Sequence, residues 1–155
     1  MKLENVKPKP KFRAFLPRGR ADVFISYIKG DELADRSEKV VTAIINNHVK
    51  PYISSMLYDD VISALRSKGM QIQKVVEVLT AIASIPHKPL PVTPAIAISA
   101  LNLYLLNGGP RKLHYFDSFH VATAQFHRLP IITSDSYIIG HHKDLGVRTI
   151  NLKQL

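Results

Sequence analysis

The stretch FDSFHVATAQFHRLPIITSD, residues 116–135, decides the fold, because it joins an apolar helical pattern to a short apolar run and carries an aspartate near each end. In an open parallel sheet, ligands bind outside the carboxyl ends of the strands, where loops pass into helices. Asp135 follows the run IIT and is predicted at that edge. Asp117 is predicted to begin the helix that leads into the strand, and its carboxylate is expected to reach the same edge. A helix cap would explain either aspartate alone.

Outside this stretch, short β-rich runs alternate with helical patterns. The runs FRAFL, VKPYISS, PIITSD and VRTINL are predicted strands, and IPHKPLPVT is expected to contain another. This alternation predicts an α/β fold with a central parallel sheet and helices on both faces. We expect one domain over residues 12–155, preceded by a basic, flexible tail over residues 1–11.

Two apolar segments are assigned to helices by their spacing and punctuation. MQIQKVVEVLTAIAS places Ile72, Val75, Val76 and Leu79 on one helical face. TPAIAISALNLYLLNGG has threonine and proline at its start and glycines past its end, which is typical of a helix. Its lack of charge predicts a buried helix, and it is too short to span a bilayer.

Composition limits the chemistry. The chain has 155 residues, 46% of them hydrophobic, which allows one ordinary core. It has no cysteine, which excludes disulfides, thiolate zinc sites and a cysteine nucleophile. The net charge of +9 favours an anionic partner. The N-terminus has no apolar signal core, so we expect a cytoplasmic protein without a membrane contact.

Four acids lie near the beginnings of separate elements: Asp22, Asp60, Asp117 and Asp135. Carboxylates brought together repel one another unless a cation neutralises them. Sites built only of oxygen ligands suit Mg²⁺ or Mn²⁺. Such a cation lowers the pKa of bound water and neutralises the developing charge of a phosphodiester, so the pattern favours metal-assisted hydrolysis.

Each acid also has a simpler explanation. Asp59 competes with Asp60, but successive helical residues point roughly 100° apart, so only one faces the site, and Asp60 is favoured. Asp22 is equally well explained as the N-cap of VFISYI. His114 and His120 are six residues apart and face different sides of a helix, so we expect surface or capping roles rather than metal binding.

Some neighbouring polar residues have two interpretations. Ser118 and Thr133 either orient a carboxylate or water, or make ordinary turn and cap hydrogen bonds. Four basic residues near the predicted acids either contact phosphates or form a solvated surface: Arg66, Lys68, Arg111 and Lys112.

The chain resembles the PIN domain family, which includes the VapC-type toxins of prokaryotic toxin–antitoxin pairs. The resemblance begins near Phe12 and is most specific in residues 116–135, with an aspartate, a helix rich in small residues, a short strand and a Thr-x-Asp ending. YISSMLYDDVISAL is similar to the family's strand, serine and helix, with Asp60 where the family usually has glutamate.

The resemblance implies a Mg²⁺- or Mn²⁺-dependent endoribonuclease, the toxin of a toxin–antitoxin pair, which hydrolyses RNA phosphodiesters with a metal-activated water. Asp60, Asp117 and Asp135 would be catalytic and would hold the cation, with Asp22 as a fourth ligand. The implied partners are RNA, an antitoxin protein and a second copy of the chain. The apolar helix around QIQKVVEVL is a candidate for the dimer surface.

The first family motif departs from the pattern. VFISYIKGD is similar to the apolar helix and Gly-Asp pair of the family. Aligning Gly30 and Asp31 with that pair puts Asp22 on the family's asparagine and Arg20 on its first aspartate. Either Asp22 substitutes for that aspartate through a local shift, or Arg20 places a guanidinium where the cation would sit. The second alternative implies a catalytically degenerate module that binds RNA or a protein partner.

Overall fold

The central sheet is parallel throughout. The computed structural model describes residues 12–17 and 23–155. Within them five strands form one sheet in the order β3-β2-β1-β4-β5. The strands are β1 (Phe12–Phe15), β2 (Val49–Ser54), β3 (Lys88–Leu90), β4 (Ile131–Thr133) and β5 (Thr149–Asn151). All four pairings are parallel, which confirms the predicted fold class.

Helices connect the strands and cover the sheet. The described residues contain seven α-helices and one 3₁₀-helix, as follows: α1 (Val23–Lys29), α2 (Ala34–Ile45), α3 (Met56–Ser67), α4 (Ile72–Ser84), α5 (Pro94–Asn107), α6 (Tyr115–Phe126), α7 (Ser136–Gly140) and the 3₁₀-helix Leu152–Gln154. Gly30 and Gly69 follow α1 and α3 with positive φ angles, which glycine adopts without a steric penalty.

Both faces of the sheet are buried, because successive strand side chains point to opposite sides. Ile53 and Ile132 pack into the hydrophobic cluster that contains residues from α1, α2, α3 and α4. Phe15 and Ile131 pack into the opposite cluster, to which α6 contributes. This double coverage explains why β4, which is buried at all three positions, does not alternate apolar and polar residues.

The prediction that α5 is buried was wrong. Its N-terminal cap is as expected, since the Thr93 hydroxyl accepts a hydrogen bond from the Ile96 backbone N–H. However, α5 packs against α6 in a separate small cluster, and only Ile96 and Ala100 are buried along the helix. Leu105 and Leu106 are 81% and 80% exposed. An apolar helix in this outer position leaves much of its hydrophobic surface in contact with solvent.

Two further details differ from the sequence patterns. In α4, Val75 is buried, but Ile72 and Val76 are 64% and 54% exposed, so the four apolar residues do not share one buried face. Helix α6 begins at Tyr115, two residues before Asp117, so Asp117 lies within the first turn rather than at the cap.

The structure leaves the predicted N-terminal tail untested, but it does bear on the prediction that no segment spans a membrane. The tail over residues 1–11 lies outside the described residues, and its boundary with the domain stays a prediction. Among the described residues, none of the helices combines the length and hydrophobicity needed to cross a bilayer.

Candidate active site

Three of the four predicted acids line one cavity. The cavity has a volume of about 790 Å³, and Asp60, Asp117 and Asp135 all contribute to its wall. Asp60 comes from α3, which follows β2, and Asp135 follows β4. The cavity therefore opens at the carboxyl edge of the sheet, where parallel sheets bind ligands. Asp22 and Arg20 lie outside the described residues.

Asp60 faces the interior, and Asp59 does not. Asp60 is only 5% exposed, whereas Asp59 is exposed to solvent, as the angular separation of successive helical residues predicted. Strand β2 supplies part of the helix start, because the Ser54 hydroxyl accepts a hydrogen bond from the Met56 backbone N–H. Asp60 therefore lies just beyond the first turn of a helix whose start is fixed by this hydrogen bond.

The Asp117 carboxyl has a strongly altered acidity. Burial raises its pKa from 3.8 to about 7, and the side chain is 5% exposed. Charge interaction with His120 lowers the pKa, while repulsion from Asp135 and Asp60 raises it, and a backbone hydrogen bond at His114 lowers it. Because desolvation and like charges both disfavour the carboxylate form, this position favours either a proton or a nearby positive charge.

Asp135 both caps α7 and lines the cavity. One carboxylate oxygen, Oδ1, accepts a hydrogen bond of 2.9 Å from the Ile138 backbone N–H and so caps α7. The Thr133 hydroxyl accepts from the backbone N–H of Asp135, which is ordinary turn chemistry rather than a contact with a carboxylate. The Ser118 hydroxyl donates to the Tyr115 carbonyl in a similar local bond. Capping fixes the position of Asp135 on the wall of the cavity.

Sequence reasoning missed two residues at this edge. Asp31 lines the cavity, and its position after the Gly30 turn was the available signal. Its carboxylate accepts hydrogen bonds from the Ser26 hydroxyl and the Leu33 backbone N–H. His120, expected at the surface or in a cap, is fully buried and lies 3.2 Å from Asp60. No local pattern indicated this contact, because its partner is 60 residues away.

Basic side chains line the cavity that contains the acids and the cavity next to it. Lys29 and Lys68 line the cavity that contains Asp117. A neighbouring cavity of about 490 Å³ is lined by Arg111, Lys112 and Lys153. The two cavities share Asp31, His114 and Asp135 in their walls, so they are adjacent. Arg66, by contrast, donates a hydrogen bond to the Met70 carbonyl.

The donor chemistry of the cavity fits a hard divalent cation. Its acids supply oxygen ligands, and a cation would favour the ionised form of Asp117, which burial and then repulsion from Asp135 and Asp60 disfavour. Within residues 12–17 and 23–155, no three histidine or acidic side chains are close enough together to hold a metal ion. Mg²⁺ commonly binds through one or two carboxylates and keeps several waters, so this spacing is compatible with such a cation.

Comparison with known proteins gives a family match. The sequence model of the PIN domain matches residues 21–140, which is most of the chain and includes all four predicted acids. No curated protein matches the chain in sequence.

The fold is similar to those of two solved toxin–antitoxin systems. A chain from a toxin–antitoxin complex of Klebsiella pneumoniae is 17% identical, with a TM-score of 0.57 over 90% of this chain and 97% of that one. A chain from VapBC2 of Rickettsia felis, bound to a DNA fragment from its promoter, is 12% identical, with a TM-score of 0.64 over 90% of this chain and 98% of that one. At these identities the likeness concerns the fold alone.

Proposed function

Because this chain belongs to the PIN domain family, we propose that it is a divalent-metal-dependent endoribonuclease and the toxin of a toxin–antitoxin pair. The observation that carries the proposal is the convergence of Asp60, Asp117 and Asp135 on one cavity at the carboxyl edge of the sheet. The three residues come from separate parts of the chain. If they served only as ordinary helix-end residues, they would have no reason to line the same cavity.

The metal would be Mg²⁺ or Mn²⁺, bound directly by one or two of the acids Asp60, Asp117 and Asp135 and through its waters by the rest, with Asp22 as a fourth ligand. A bound cation of this kind would acidify a water molecule and neutralise the charge that develops on a phosphodiester during hydrolysis. Burial raises the pKa of the Asp117 carboxyl to about 7, so the ionised form that a cation needs competes with the protonated form near neutral pH. Cation binding is therefore coupled to release of that proton, and affinity rises with pH.

The substrate would be RNA, and the basic residues would hold its backbone. Lys29 and Lys68 line the cavity that contains the acids, and Arg111 and Lys112 line the adjacent cavity. A strand that crosses the acids would place phosphates against both groups. Such contacts position the polymer without reading its sequence, and they weaken as salt increases.

A protein partner would bind to the exposed apolar side chains of α4 and α5. Leu105 and Leu106 on α5 and Ile72 and Val76 on α4 are all more than half exposed. Exposed apolar residues at neighbouring helical positions are typical of protein interaction sites. We propose that such surfaces bind the antitoxin and a second copy of the chain. The structural neighbours, which come from toxin–antitoxin systems, support the antitoxin.

The test combines metal binding with cleavage. Mn²⁺ binding is measured by calorimetry, and cleavage of structured RNAs is measured with and without Mn²⁺, for the intact chain, Asp117→Asn and the control Asp144→Asn. Asp144 is an exposed acid away from the cavity. We expect the intact chain and the control to bind Mn²⁺ and to cleave, and Asp117→Asn to lose both properties. Metal-independent cleavage, or cleavage that survives in Asp117→Asn, would contradict the proposal.

The second candidate is a catalytically degenerate PIN module that binds RNA or a protein. The sequence alignment of Gly30 and Asp31 with the family pair favours it, because it puts Arg20 on the family's first aspartate. In that case the intact chain binds RNA without Mn²⁺ and without cleaving it, and Asp117→Asn leaves this binding unchanged. The same calorimetric titration therefore separates the two functions.

A further inference from the structure

His120 is a buried histidine whose polar contact is with an acid of the candidate site. It lies on α6, one turn after Asp117, and its side chain is fully buried. Nε2 lies 3.2 Å from Asp60 Oδ2, and both side chains are almost inaccessible to solvent. The contact joins α6 to α3 across 60 residues of sequence.

The surroundings of His120 restrict the ring to one polar role. Its Nδ1 atom is buried and has no hydrogen-bond partner among the described residues. The ring faces Phe15, with the two ring centroids 6.3 Å apart. If Nε2 carries the proton, it donates to the Asp60 carboxylate, and Nδ1 remains an unpaired acceptor. A buried polar atom without a partner is unfavourable, so an apolar residue would suit this position better if packing alone mattered.

We propose that His120 is a positioning residue that orients the Asp60 carboxylate and fixes its placement relative to Asp117. The inference rests on the proposed function, because it concerns the same metal-binding acids. His120 and Asp117 share one turn of a helix, so a bond from His120 to Asp60 sets the separation of two acids that belong to different helices. Hydrogen bonds to ligating carboxylates affect metal affinity in this way, and their loss commonly weakens it about 10- to 100-fold.

The experiment uses the intact chain and two substitutions at this position. His120→Leu removes the donor and keeps an apolar side chain, whereas His120→Gln retains an amide N–H as a substitute for Nε2–H. His127→Leu is the matched control, a histidine at the end of the same helix that is absent from the cavity wall. Mn²⁺ affinity is measured by calorimetry, and folding is checked by thermal unfolding.

We expect Mn²⁺ affinity to fall about 10-fold or more in His120→Leu and to be largely restored in His120→Gln. The kcat for RNA cleavage should fall with it, while KM for RNA should stay unchanged, because the basic side chains remain in place. A purely structural role would change the unfolding temperature without this selective loss and rescue. Wild-type Mn²⁺ affinity in folded His120→Leu would overturn the positioning role.

A second measurement is independent of the substitutions. Nitrogen-15 NMR of the histidine rings in the intact chain should show the proton of His120 on Nε2. A proton on Nδ1 alone would overturn the proposal, even if His120→Leu failed to fold. If the intact chain binds no Mn²⁺, the proposed function and this inference fail together. If it binds Mn²⁺ and cleaves RNA, and folded His120→Leu matches it, only the positioning role is overturned.

Discussion

Asp117→Asn should stabilise the metal-free protein at neutral and alkaline pH. Burial and like charges raise the pKa of Asp117 to about 7, compared with 3.8 for an unperturbed aspartate. Each pH unit of this difference is worth about 1.4 kcal/mol, so ionising Asp117 costs the folded state about 4 kcal/mol at most. Asparagine has the same shape as the protonated acid and never ionises, so it avoids this cost.

The sign of the pH dependence follows from which state holds the proton. Between pH 4 and pH 7 the folded protein keeps the Asp117 proton and the unfolded chain has lost it. The contribution of Asp117 to stability is therefore greatest below pH 4, falls as pH rises to 7 and is constant above that. Asp117→Asn and the intact chain should have similar stability near pH 4, and the substitution should be more stable at pH 8.

Urea unfolding at pH 4, 6 and 8, in the presence of a chelator, measures this difference. Asp144→Asn, an exposed acid, is the control and should show no comparable gain. Added Mn²⁺ should stabilise the intact chain at pH 8 and leave Asp117→Asn unaffected, because a cation favours the ionised acid. An Asp117→Asn protein that is no more stable than the intact chain at pH 8 would refute the argument that burial raises this pKa.

Three other outcomes are expected. Asp60→Asn should lower the rate of RNA cleavage by about 100-fold or more, because it removes a group that holds the metal. Asp59→Asn, on the exposed side of α3, should cleave RNA normally. Equal losses in the two variants would contradict the assignment of Asp60. Arg111→Gln should reduce the slope of log affinity for single-stranded RNA against log salt by about 0.7, measured by fluorescence anisotropy, and an unchanged slope would exclude a phosphate contact. Val76→Glu, on the helix that is the candidate dimer surface, should abolish self-association in analytical ultracentrifugation and change stability by no more than about 1 kcal/mol, because the side chain is 54% exposed. A persistent dimer would place the interface elsewhere.

The sheet was predictable from sequence because local pattern and tertiary environment agree in it. The run IIT is apolar at every position, as a strand covered on both faces must be, and β4 is buried throughout. The helix that contains Asp60 was also predictable, together with the choice of Asp60 over Asp59. Helix geometry fixes the angle between successive side chains, and the apolar residues of α3 show which side faces the core.

Helix α5 shows where this reasoning fails. Its apolar composition predicted burial, because hydrophobic residues usually lie inside a protein. Composition does not say how many neighbours an element has, and α5 packs on α6 outside the two layers that cover the sheet. Leu105 and Leu106 are exposed because, among the described residues, α5 has a neighbouring helix on one side only. A short stretch of sequence does not show how many elements will pack against it.

The sequence by itself determined the α/β class and the parallel sheet, and it singled out Asp60, Asp117 and Asp135, which line one cavity. These features depend on periodicity and on connections between adjacent elements, which lie within short windows of the chain. Only the tertiary structure decided that Asp60 and His120 are in contact and that the pKa of Asp117 rises to about 7. Contacts and desolvation arise between segments far apart in sequence, so they exist only once α3 and α6 have packed together.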